Sequence, residues 1–595
     1  MYTAPLDDIR FCLKSVADFD RVASDGLLGD VDPEIVDAIL TEAGKFATER
    51  LAPINALGDR TGAKLDNGVV TLPEPWDAVY SEWAEAGWSS VAAAEEHGGQ
   101  GLPTMVAVAL SELWNSACLA WALNPLLTAG AIEALEAHGT DTLKDTYLTR
   151  LISGEWTGTM NLTEPQAGSD LNALRSRAEP QGDGTYRIFG QKIYITYGEH
   201  ELTDNIVHLV LARLPDAPAG TRGISLFLVP KFLPDEAGAF TIRNDVFCNG
   251  IEHKLGIHAS PTCTMIYGDG KFGETPGAIG WLIGEENRGL NCMFTMMNNA
   301  RLNVGIQGVA IAERATQQAL NFALERKQGT GLSGERGTMD PIIVHPDVKR
   351  MLHSMQAMTA ASRALCYMTA RELDIAKSAP DAETRDLAAQ KASFLTPVAK
   401  AYATDIGTEV ASLGIQVHGG MGFVEETGAA QHFRDSRILQ IYEGTNGIQA
   451  IDLVARKLGL GNGEIVEAYL SEFEEIAKDV AATNSTVYGH IGARLISGVE
   501  HLRQATEVMV DAAKTNPHHL LANATPYLRL FALVGGGAWL AKSAMNAVRS
   551  DTPDAPKRVQ TARFFCEHHT GSSGSLADEI ADGADSVLTD TFHAA

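Results

Sequence analysis

The hydrophobic period changes twice along the chain, and this change limits the possible folds more than any other feature. Up to about residue 153 the apolar residues recur at helical spacing, as in "TMVAVALSELWNSACLAWALNPLLTAGAIEALEAHG". Beyond it come short β-branched and aromatic runs, "TYRIFGQKIYIT", "NIVHLVLARL", "GISLFLVP" and "TCTMIYGD". From "GEENRGLNCMF" onward the helical period returns. This order predicts an α+β protein with a middle β unit between helical units.

A chain of 595 residues exceeds the roughly 250 to 300 residues at which one hydrophobic core stops growing. We therefore expect several packed units. The predicted boundaries give an N-terminal extension, a helical domain, a middle antiparallel β domain, a C-terminal helical domain and a further helical extension, over residues 1–34, 35–155, 156–277, 278–460 and 461–595.

Finer features are also predicted from the pattern. Pro53 should end the helix that begins near Asp32, the first 150 residues should be all-α, and the strands should end near residue 275.

The net charge excludes some classes of partner. The chain has 47 basic and 75 acidic residues, which gives a formal charge of −28. Nucleic acids and anionic membrane surfaces are therefore poor partners. No basic and apolar leader opens the sequence, and no run of roughly 18 apolar residues would span a membrane.

The cysteines indicate the compartment. All seven are scattered, and none forms a C-x-x-C pair. Free thiols of this kind are typical of a reducing compartment, so we expect a cytoplasmic protein. The adjacent histidine pairs in "NPHHLLAN" and "FFCEHHTG" point roughly 100° apart on a helix, so no metal site is expected.

Three polar segments are candidates for ligand binding. The segment "NLTEPQAGSDLNAL" suits a planar polar cofactor, or it is a connector in which Asp170 caps a turn. In "GQKIYITYGEH", Tyr194 and Thr196 share a strand face, which suits packing and hydrogen bonding to a ring but is also usual in a half-buried strand. The glycines of "QVHGGMGFVEE" could approach a pyrophosphate or form a simple turn.

The segment "IYEGTNGIQAIDLVARKL" places a lone carboxylate, Glu443, just before a helix. It could complement the helix dipole, with Thr445 or Asn446 as the cap. It could instead be a general base whose pKa is raised by desolvation in a dry cleft. Arg301 and Arg326 could likewise bind phosphate or form surface ion pairs. Spacing alone does not decide among these alternatives.

Taken in order, six segments resemble the acyl-CoA dehydrogenase family over about residues 35 to 458. They are "NLTEPQAGSDL", "GQKIYITYG", "HKLGIHASPTC", "GEENRGL", "QVHGGMGF" and "RDSRILQIYEGTNGIQ". The resemblance implies a helical domain, a middle antiparallel β domain and a four-helix domain, with the residues after 460 as an extra helical extension. It implies FAD as cofactor, an acyl-CoA substrate, an electron-transferring flavoprotein as acceptor, and a homodimer or tetramer.

The resemblance also assigns the site residues. Glu443 stands at the position of the family's catalytic base. Substrate contacts are implied for Ser169, Asn298, Arg301 and Gly444. Cofactor contacts are implied for Met160, Leu162, Thr163, Gly168, Ser169, Tyr194, Ile195, Thr196, Arg326, Gln328, Gln416, Gly420, Thr445, Asn446 and Gly447, with Gln416 and Gly420 supplied by a neighbouring subunit. The chain departs from the family pattern at Tyr194, where tryptophan is frequent, and at Gly447, where Glu or Gln is usual.

The chemistry implied is α,β-dehydrogenation. Glu443 would take the α-proton of the thioester while the β-hydrogen leaves as hydride to the flavin, giving a trans-2-enoyl-CoA. The length of the chain, with "FTMMNNARLNVGIQG" and "HKLGIHASPTCTM", resembles long bacterial members and implies 3-methylmercaptopropionyl-CoA as substrate, in dimethylsulfoniopropionate breakdown. A general fatty-acyl-CoA dehydrogenase, an acyl-CoA oxidase and a non-catalytic flavoprotein scaffold remain as alternatives.

Overall fold

The computed structural model describes residues 2–29, 31–332 and 337–592, with the backbone alone at positions 294, 296 and 298. The chain forms two compact units. The first comprises Met1–Lys45, Pro103–Ser116 and Arg301–Ala595, and the second comprises Phe46–Leu102 and Ala117–Ala300.

Helices account for most of the described residues, and one of them, Gly289–Glu325, continues from the second unit into the first. In chain order the α-helices are Leu6–Phe11, Phe19–Ser24, Pro33–Phe46, Ala52–Thr61, Trp76–Glu85, Thr104–Ala117, Leu119–His138, Asp141–Leu143, Thr149–Ile152, Gly289–Glu325, Pro346–Ser378, Ala382–His418, Ala429–Ser436, Asn446–Asp452, Glu464–Ala482, Ile491–Thr515, Pro517–Ala522, Ala524–Arg549, Ala555–His568, Ser573–Asp582 and Ala584–Leu588.

The prediction that Pro53 ends a helix is wrong. A π-helical turn over Ala47–Leu51 follows the first long helix, and the chain then continues as the helix Ala52–Thr61. Pro53 lies in the first turn of this new segment. A proline is tolerated there because its missing N–H is not required by the first turn of a helix.

The prediction that the first 150 residues are all-α also fails at one place. Strands β1 (Lys64–Asp66) and β2 (Val69–Thr71) form an antiparallel hairpin. Its two turn residues, Asn67 and Gly68, have φ values of 50° and 84°. Asn-Gly is the commonest signal for such a two-residue turn, because both residues tolerate the left-handed region.

The central sheet belongs to the second unit. Its strands are β3 (Thr157–Asn161), β4 (Arg177–Pro180), β5 (Tyr186–Thr196), β6 (Ile206–Ala212), β7 (Ser225–Pro230), β10 (Val246–Ile251), β11 (Thr262–Tyr267) and β12 (Ala278–Ile283), while β8 (Phe232–Pro234) and β9 (Phe240–Arg243) pair separately. The order in the main sheet is β10-β11-β5-β12-β7-β6-β3, and β4 pairs with β5.

Two details of the sheet differ from the prediction. Strand β12 lies beyond residue 275, and β3 pairs with β6 in parallel, whereas the other pairs are antiparallel among the described strands. Both faces of the sheet are buried at β3, β6 and β7. On β6, Val207, Leu209 and Leu211 enter one hydrophobic core, and Val210 and Ala212 enter another. This explains why the residues of β6 are apolar on both faces, except at the buried His208, rather than alternating.

In the first unit, the helices after residue 464 pack on the helices before it. Ala524–Arg549 lies against both Pro346–Ser378 and Ala382–His418. Ion pairs attach the N-terminal segment to the same region: Lys557 Nζ lies 3.0 Å from Asp8 Oδ1, and Lys542 Nζ lies 3.0 Å from Asp18 Oδ2. The first helix and the last helices of the chain therefore belong to one packed body.

Within the described part of the chain, no helix is long and apolar enough to cross a membrane.

Candidate active site

Glu443 lies in a left-handed turn between a short 3₁₀ segment, Arg437–Gln440, and the helix Asn446–Asp452. Its φ is 54°, and that of Gly444 is 83°. A left-handed conformation at a non-glycine residue costs free energy and is frequently retained at functional sites. A Cβ atom on Gly444 would also meet Gln449 Nε2 at 2.8 Å, so glycine is required for space as well as for conformation. The turn presents a half-buried carboxylate in a fixed direction.

The cap of the following helix is Thr445, not Asn446. Its Oγ1 accepts a hydrogen bond from the backbone N–H of Ile448 at 3.3 Å. Asn446 serves the turn differently: its Nδ2 donates to Ala401 O, Thr404 Oγ1 and Asp405 Oδ1 at 3.1, 3.0 and 2.7 Å. These bonds tie the start of the helix to the long helix Ala382–His418.

Two further side chains hold the turn. Gln449 Nε2 donates to the carbonyl oxygens of Glu443 and Gly444 at 3.1 and 3.3 Å. On the other side, the Tyr442 hydroxyl donates to Gln307 Oε1, and Gln307 Nε2 donates to Asn115 Oδ1 at 3.2 Å. The backbone on both sides of Glu443 is therefore fixed by buried hydrogen bonds.

Burial raises the pKa of the Glu443 carboxyl, and the cations of Arg301 and Lys400 oppose this shift. Arg301 is 8% exposed, and its Nη1 lies 3.5 Å from Asp452 Oδ2. Its Nη2 lies 3.8 Å from the position that a Cβ on Gly444 would take. Arg301 thus adjoins the turn, and its Nε has no hydrogen-bond partner among the described residues. A carboxyl with a raised pKa is suited to accept a proton near neutral pH.

A second group of predicted residues in this unit lies at the surface. Arg326, Gln328, Gln416 and Gly420 are all exposed. Arg326 Nη2 donates to Gln328 Oε1 at 3.2 Å, and no heavy atom of the other described residues lies within 4 Å of the Cβ position of Gly420. The space beside Gly447 is also open: the described atom nearest to its Cβ position is Thr445 Oγ1, at 4.0 Å. The exposed side chains of Arg326, Gln328 and Gln416 are therefore accessible to a ligand or a second chain.

In the other unit, the segment 161–174 directly follows strand β3. It is folded around the carboxylate of Glu164, which accepts hydrogen bonds from the backbone N–H groups of Arg175 and Ser176 at 2.7 and 3.0 Å. Lys192 Nζ donates to Glu164 Oε1 at 2.8 Å and to Leu162 O at 3.1 Å. Both side chains are buried, at 0% and 3% exposure for Lys192 and Glu164.

The ion pair is stable in its charged form. Burial lowers the pKa of Lys192 to about 8, against the opposing effect of Glu164. Burial also acts to raise the pKa of Glu164, but the Lys192 ammonium and the hydrogen bonds outweigh it, so this pKa is lowered. At neutral pH both groups are therefore ionised, and together they fix the shape of the segment.

The predicted cofactor residues of this unit differ in exposure. Met160 and Ile195 are buried, Leu162, Thr163 and Thr196 are half-buried, and Gly168, Ser169 and Tyr194 are exposed. Asp170 also caps a turn, accepting from Asn172 N at 2.9 Å, so the segment is both a structured connector and an exposed polar surface. The side chain of Asn298 lies outside the described residues.

Tyr194 interrupts its strand. The register of β5 against β11 shifts between Lys192 and Ile195, and Tyr194 has a φ of 60° with 60% exposure. This irregularity is a β-bulge, an extra residue in one strand. β-Bulges change the direction of a side chain and are frequent beside active sites. The exposed ring of Tyr194 flanks buried Ile195.

Sequence reasoning missed the residues that support the two parts of the site. Glu164 and Lys192 hold the segment 161–174. Lys400, Asp405 and Gln449 hold the turn that carries Glu443. Lysine is almost always exposed, so a lysine in an apolar pattern is the one signal available for Lys192 and Lys400. It is visible in "LTPVAKAYA", where the neighbours of Lys400 are apolar.

Family models of acyl-CoA dehydrogenases match most of the chain. The N-terminal domain model matches residues 34–155, the middle domain model 159–269, and the C-terminal domain model 287–459. A fourth model, described as acetyl-CoA dehydrogenase C-terminal like, matches residues 472–589. The chain belongs to the acyl-CoA dehydrogenase family, and it is an FAD-dependent oxidoreductase that acts on acyl-CoA thioesters.

Among curated proteins, the chain is 44% identical over 599 residues to 3-methylmercaptopropionyl-CoA dehydrogenase of Ruegeria pomeroyi, with 99% of each chain covered. It is 35% identical over 602 residues to a butyryl-CoA dehydrogenase of Syntrophomonas wolfei, with 98% of this chain and 97% of the relative covered. Among solved structures, Caenorhabditis elegans ACDH-11 in complex with C11-CoA superposes with a TM-score of 0.79 at 21% identity, covering 100% of this chain and 96% of that one. The predicted fold class is confirmed.

The predicted cofactor-binding residues of each unit are compatible with FAD. In the described part of the chain, no heavy atom of another residue lies within 4 Å of the Cβ positions of Gly168 and Gly420, so a ligand can approach each backbone closely. Tyr194 offers an exposed aromatic ring, and Thr163 and Thr196 offer hydroxyl groups that are only half-buried. These are the donor types that a flavin ring and a pyrophosphate require.

Proposed function

We propose that the chain oxidises 3-methylmercaptopropionyl-CoA to 3-methylthioacryloyl-CoA in the breakdown of dimethylsulfoniopropionate. The observation that carries this proposal is the 44% identity to the Ruegeria pomeroyi enzyme across 99% of both chains. The butyryl-CoA dehydrogenase that aligns over a similar length is only 35% identical. In the proposed substrate a sulfur atom is bonded to the β-carbon, so the new double bond is conjugated with sulfur.

In this proposal Glu443 is the general base. Its carboxylate removes the α-proton of the thioester, and the β-hydrogen leaves as hydride. The fixed turn keeps the carboxylate and its own backbone N–H in one orientation, and that N–H donates to the thioester carbonyl oxygen as negative charge develops there. Arg301 keeps a positive charge beside the turn. FAD, when bound, supplies the acceptor for the hydride.

We assign the remaining site residues as follows. Ser169, Asn298, Arg301 and Gly444 contact the substrate. The flavin end of the cofactor lies with Met160, Leu162, Thr163, Gly168, Ser169, Tyr194, Ile195 and Thr196, and the remainder with Arg326, Gln328, Gln416, Gly420, Thr445, Asn446 and Gly447.

Anaerobic titration of the purified holoenzyme tests the substrate. We expect 3-methylmercaptopropionyl-CoA to bleach the visible flavin absorbance at lower concentration than butyryl-CoA, hexanoyl-CoA or palmitoyl-CoA. If the straight-chain thioesters bleach the flavin better, the protein is a general fatty-acyl-CoA dehydrogenase, the alternative that the butyryl-CoA relative supports. If no thioester bleaches it, the scaffold alternative replaces both.

We propose further that the protein is a homodimer in which Gln416 and Gly420 contact the cofactor of the second copy. An exposed apolar patch adjoins Gly420, with Met421, Phe423 and Val424 at 51%, 88% and 40% exposure. Large apolar side chains grouped at a surface are typical of interaction sites. A second copy is the proposed occupant of this patch because Gln416 and Gly420, which are proposed to contact the cofactor of the other copy, are exposed beside it.

Replacing Phe423 with aspartate should therefore dissociate the dimer and lower the flavin content. Sedimentation velocity and the flavin-to-protein ratio measure both effects. The matched control is Val487→Asp, which introduces the same charge at a residue that is 52% exposed elsewhere in the unit. A monomeric wild-type holoenzyme, or a dimeric Phe423→Asp variant with full flavin content, would contradict the proposal.

An electron-transferring flavoprotein is the proposed electron acceptor, and the cytoplasm is the proposed compartment. All seven cysteines are buried and none forms a disulfide in the described part of the chain, which supports a reducing environment. Rapid transfer of electrons from the substrate-reduced enzyme to such a flavoprotein supports the acceptor, whereas rapid oxygen uptake without any added acceptor would indicate an oxidase instead.

A further inference from the structure

Lys400 lies inside the first unit, on the long helix Ala382–His418. Its side chain has 0% exposure, and the flanking residues Val398, Ala399, Ala401 and Tyr402 are at most 2% exposed. Burying an ammonium group is costly unless hydrogen bonds and opposite charges compensate for the lost water. The position of this lysine therefore requires a specific explanation.

The ammonium is directed at the turn that carries Glu443. Lys400 Nζ donates to Gly444 O at 2.9 Å and to Asn446 Oδ1 at 2.9 Å. The amide of Asn446 is oriented by three donor bonds from its Nδ2, so its oxygen is held towards Lys400. Lys400 thus fixes the backbone on the C-terminal side of Glu443.

Within the described part of the chain, Lys400 forms no ion pair with a carboxylate, so its charge is not neutralised by direct contact. The charged groups that face it are Glu443 from the turn, Asp405 from its own helix and Arg301 from the helix Gly289–Glu325. The charge of Arg301 is in turn favoured by Asp452 and Glu443 and opposed by Arg456. Burial lowers the pKa of Lys400 to about 7, although Glu443 and Asp405 oppose the shift.

We propose that Lys400 is a positioning residue for the proposed reaction: its buried ammonium fixes the Glu443 turn and keeps a positive charge beside the Glu443 carboxylate. The inference rests on the proposed role of Glu443 as general base. Two contributions follow from the geometry. The hydrogen bonds orient the turn, and the charge favours the ionised carboxylate that accepts the proton.

The two contributions can be separated with a matched pair of variants. Lys400→Gln keeps a hydrogen-bond donor and removes the charge. Gln449→Leu removes neutral donors to the carbonyls of the same turn and leaves the charge in place. A merely structural role of Lys400 would give the two variants the same pH profile.

The experiment measures kcat and kcat/KM of the flavin-loaded enzymes from about pH 5 to about pH 9. In the wild type, activity should appear as pH rises through the pKa of Glu443, which burial raises and the positive charges of Arg301 and Lys400 lower. Lys400→Gln should lower kcat about tenfold and move this acid limb upward by about one pH unit, because an opposite charge lowers a carboxyl pKa by about this amount or more. Gln449→Leu should lower kcat without moving the limb.

Two further variants keep the result decisive. Lys400→Arg retains the charge and should keep the limb at its wild-type position even if kcat falls. An unmoved limb in Lys400→Gln, or the same shift in Lys400→Arg, would overturn the inference. Should Lys400→Gln fail to retain flavin, its acid limb is measured with FAD added in excess, and the same two outcomes for that limb decide the inference. If Glu443→Gln retains wild-type activity in the same series, the proposed base is wrong, which is a distinct outcome.

Discussion

Replacement of Glu443 with glutamine should lower kcat by about 10³- to 10⁴-fold, because it removes the group that takes the α-proton. Glutamine has nearly the same size, and it removes a half-buried charge, so the turn should keep its shape. We therefore expect the variant to retain its flavin and its free energy of unfolding. In stopped-flow experiments it should bind the thioester without bleaching the flavin.

The matched control is Glu426→Gln, an exposed carboxyl of the same unit, which should leave kcat within about twofold of the wild type. The pKa of Glu443 is raised by burial, so wild-type activity should be low in acid and increase as pH rises through that raised pKa. A Glu443→Gln variant that keeps a tenth or more of the wild-type kcat would show that another group is the base.

The second large effect is expected for Lys192→Met. This change leaves the buried Glu164 carboxylate without its cation, which typically costs about 3 to 5 kcal/mol of unfolding free energy. The segment that follows β3 would also lose the bond from Lys192 Nζ to Leu162 O. We expect a lower denaturation midpoint and a reduced flavin-to-protein ratio.

Two variants check the cause of this effect. Lys64→Met, at an exposed lysine in strand β1 of the same unit, should change the stability by no more than about 0.5 kcal/mol. The double variant Lys192→Met with Glu164→Gln should recover part of the loss, because no unpaired charge remains buried. The ion pair has no such role if Lys192→Met and Lys64→Met behave alike.

The strands show how far sequence patterns determine this fold. Runs such as β6 were predicted correctly because apolar side chains cover both faces and exclude a helical stripe. The parallel pairing of β3 with β6 was not predictable, since the choice of partner strand depends on contacts that no local pattern encodes. The β1–β2 hairpin was overlooked although Asn67 and Gly68 carried a local signal.

At the candidate site, the residues themselves left Glu443 as either a helix-end acid or a base, and only the family resemblance favoured the base. The two roles of Glu443 are distinguished by the tertiary structure around it. The distinction depends on the left-handed φ of Glu443, on buried donors from Gln449 and Lys400, and on the cation of Arg301. None of these contacts is close in sequence to the turn except that of Gln449. The domain boundaries and the individual cofactor contacts stay predictions.

Asp8 pairs with Lys557, and Asp18 pairs with Lys542. The N-terminal segment can therefore make these contacts only after the C-terminal region has been synthesised. A ribosome adds about 5 to 20 residues per second, so Asp8 waits about half a minute to two minutes before Lys557 exists. Throughout that time the apolar side of the first helix has no partner from the end of the chain. The final assembly of this unit is therefore post-translational, and a chain truncated before residue 557 would leave its N-terminal segment exposed to chaperones and proteases.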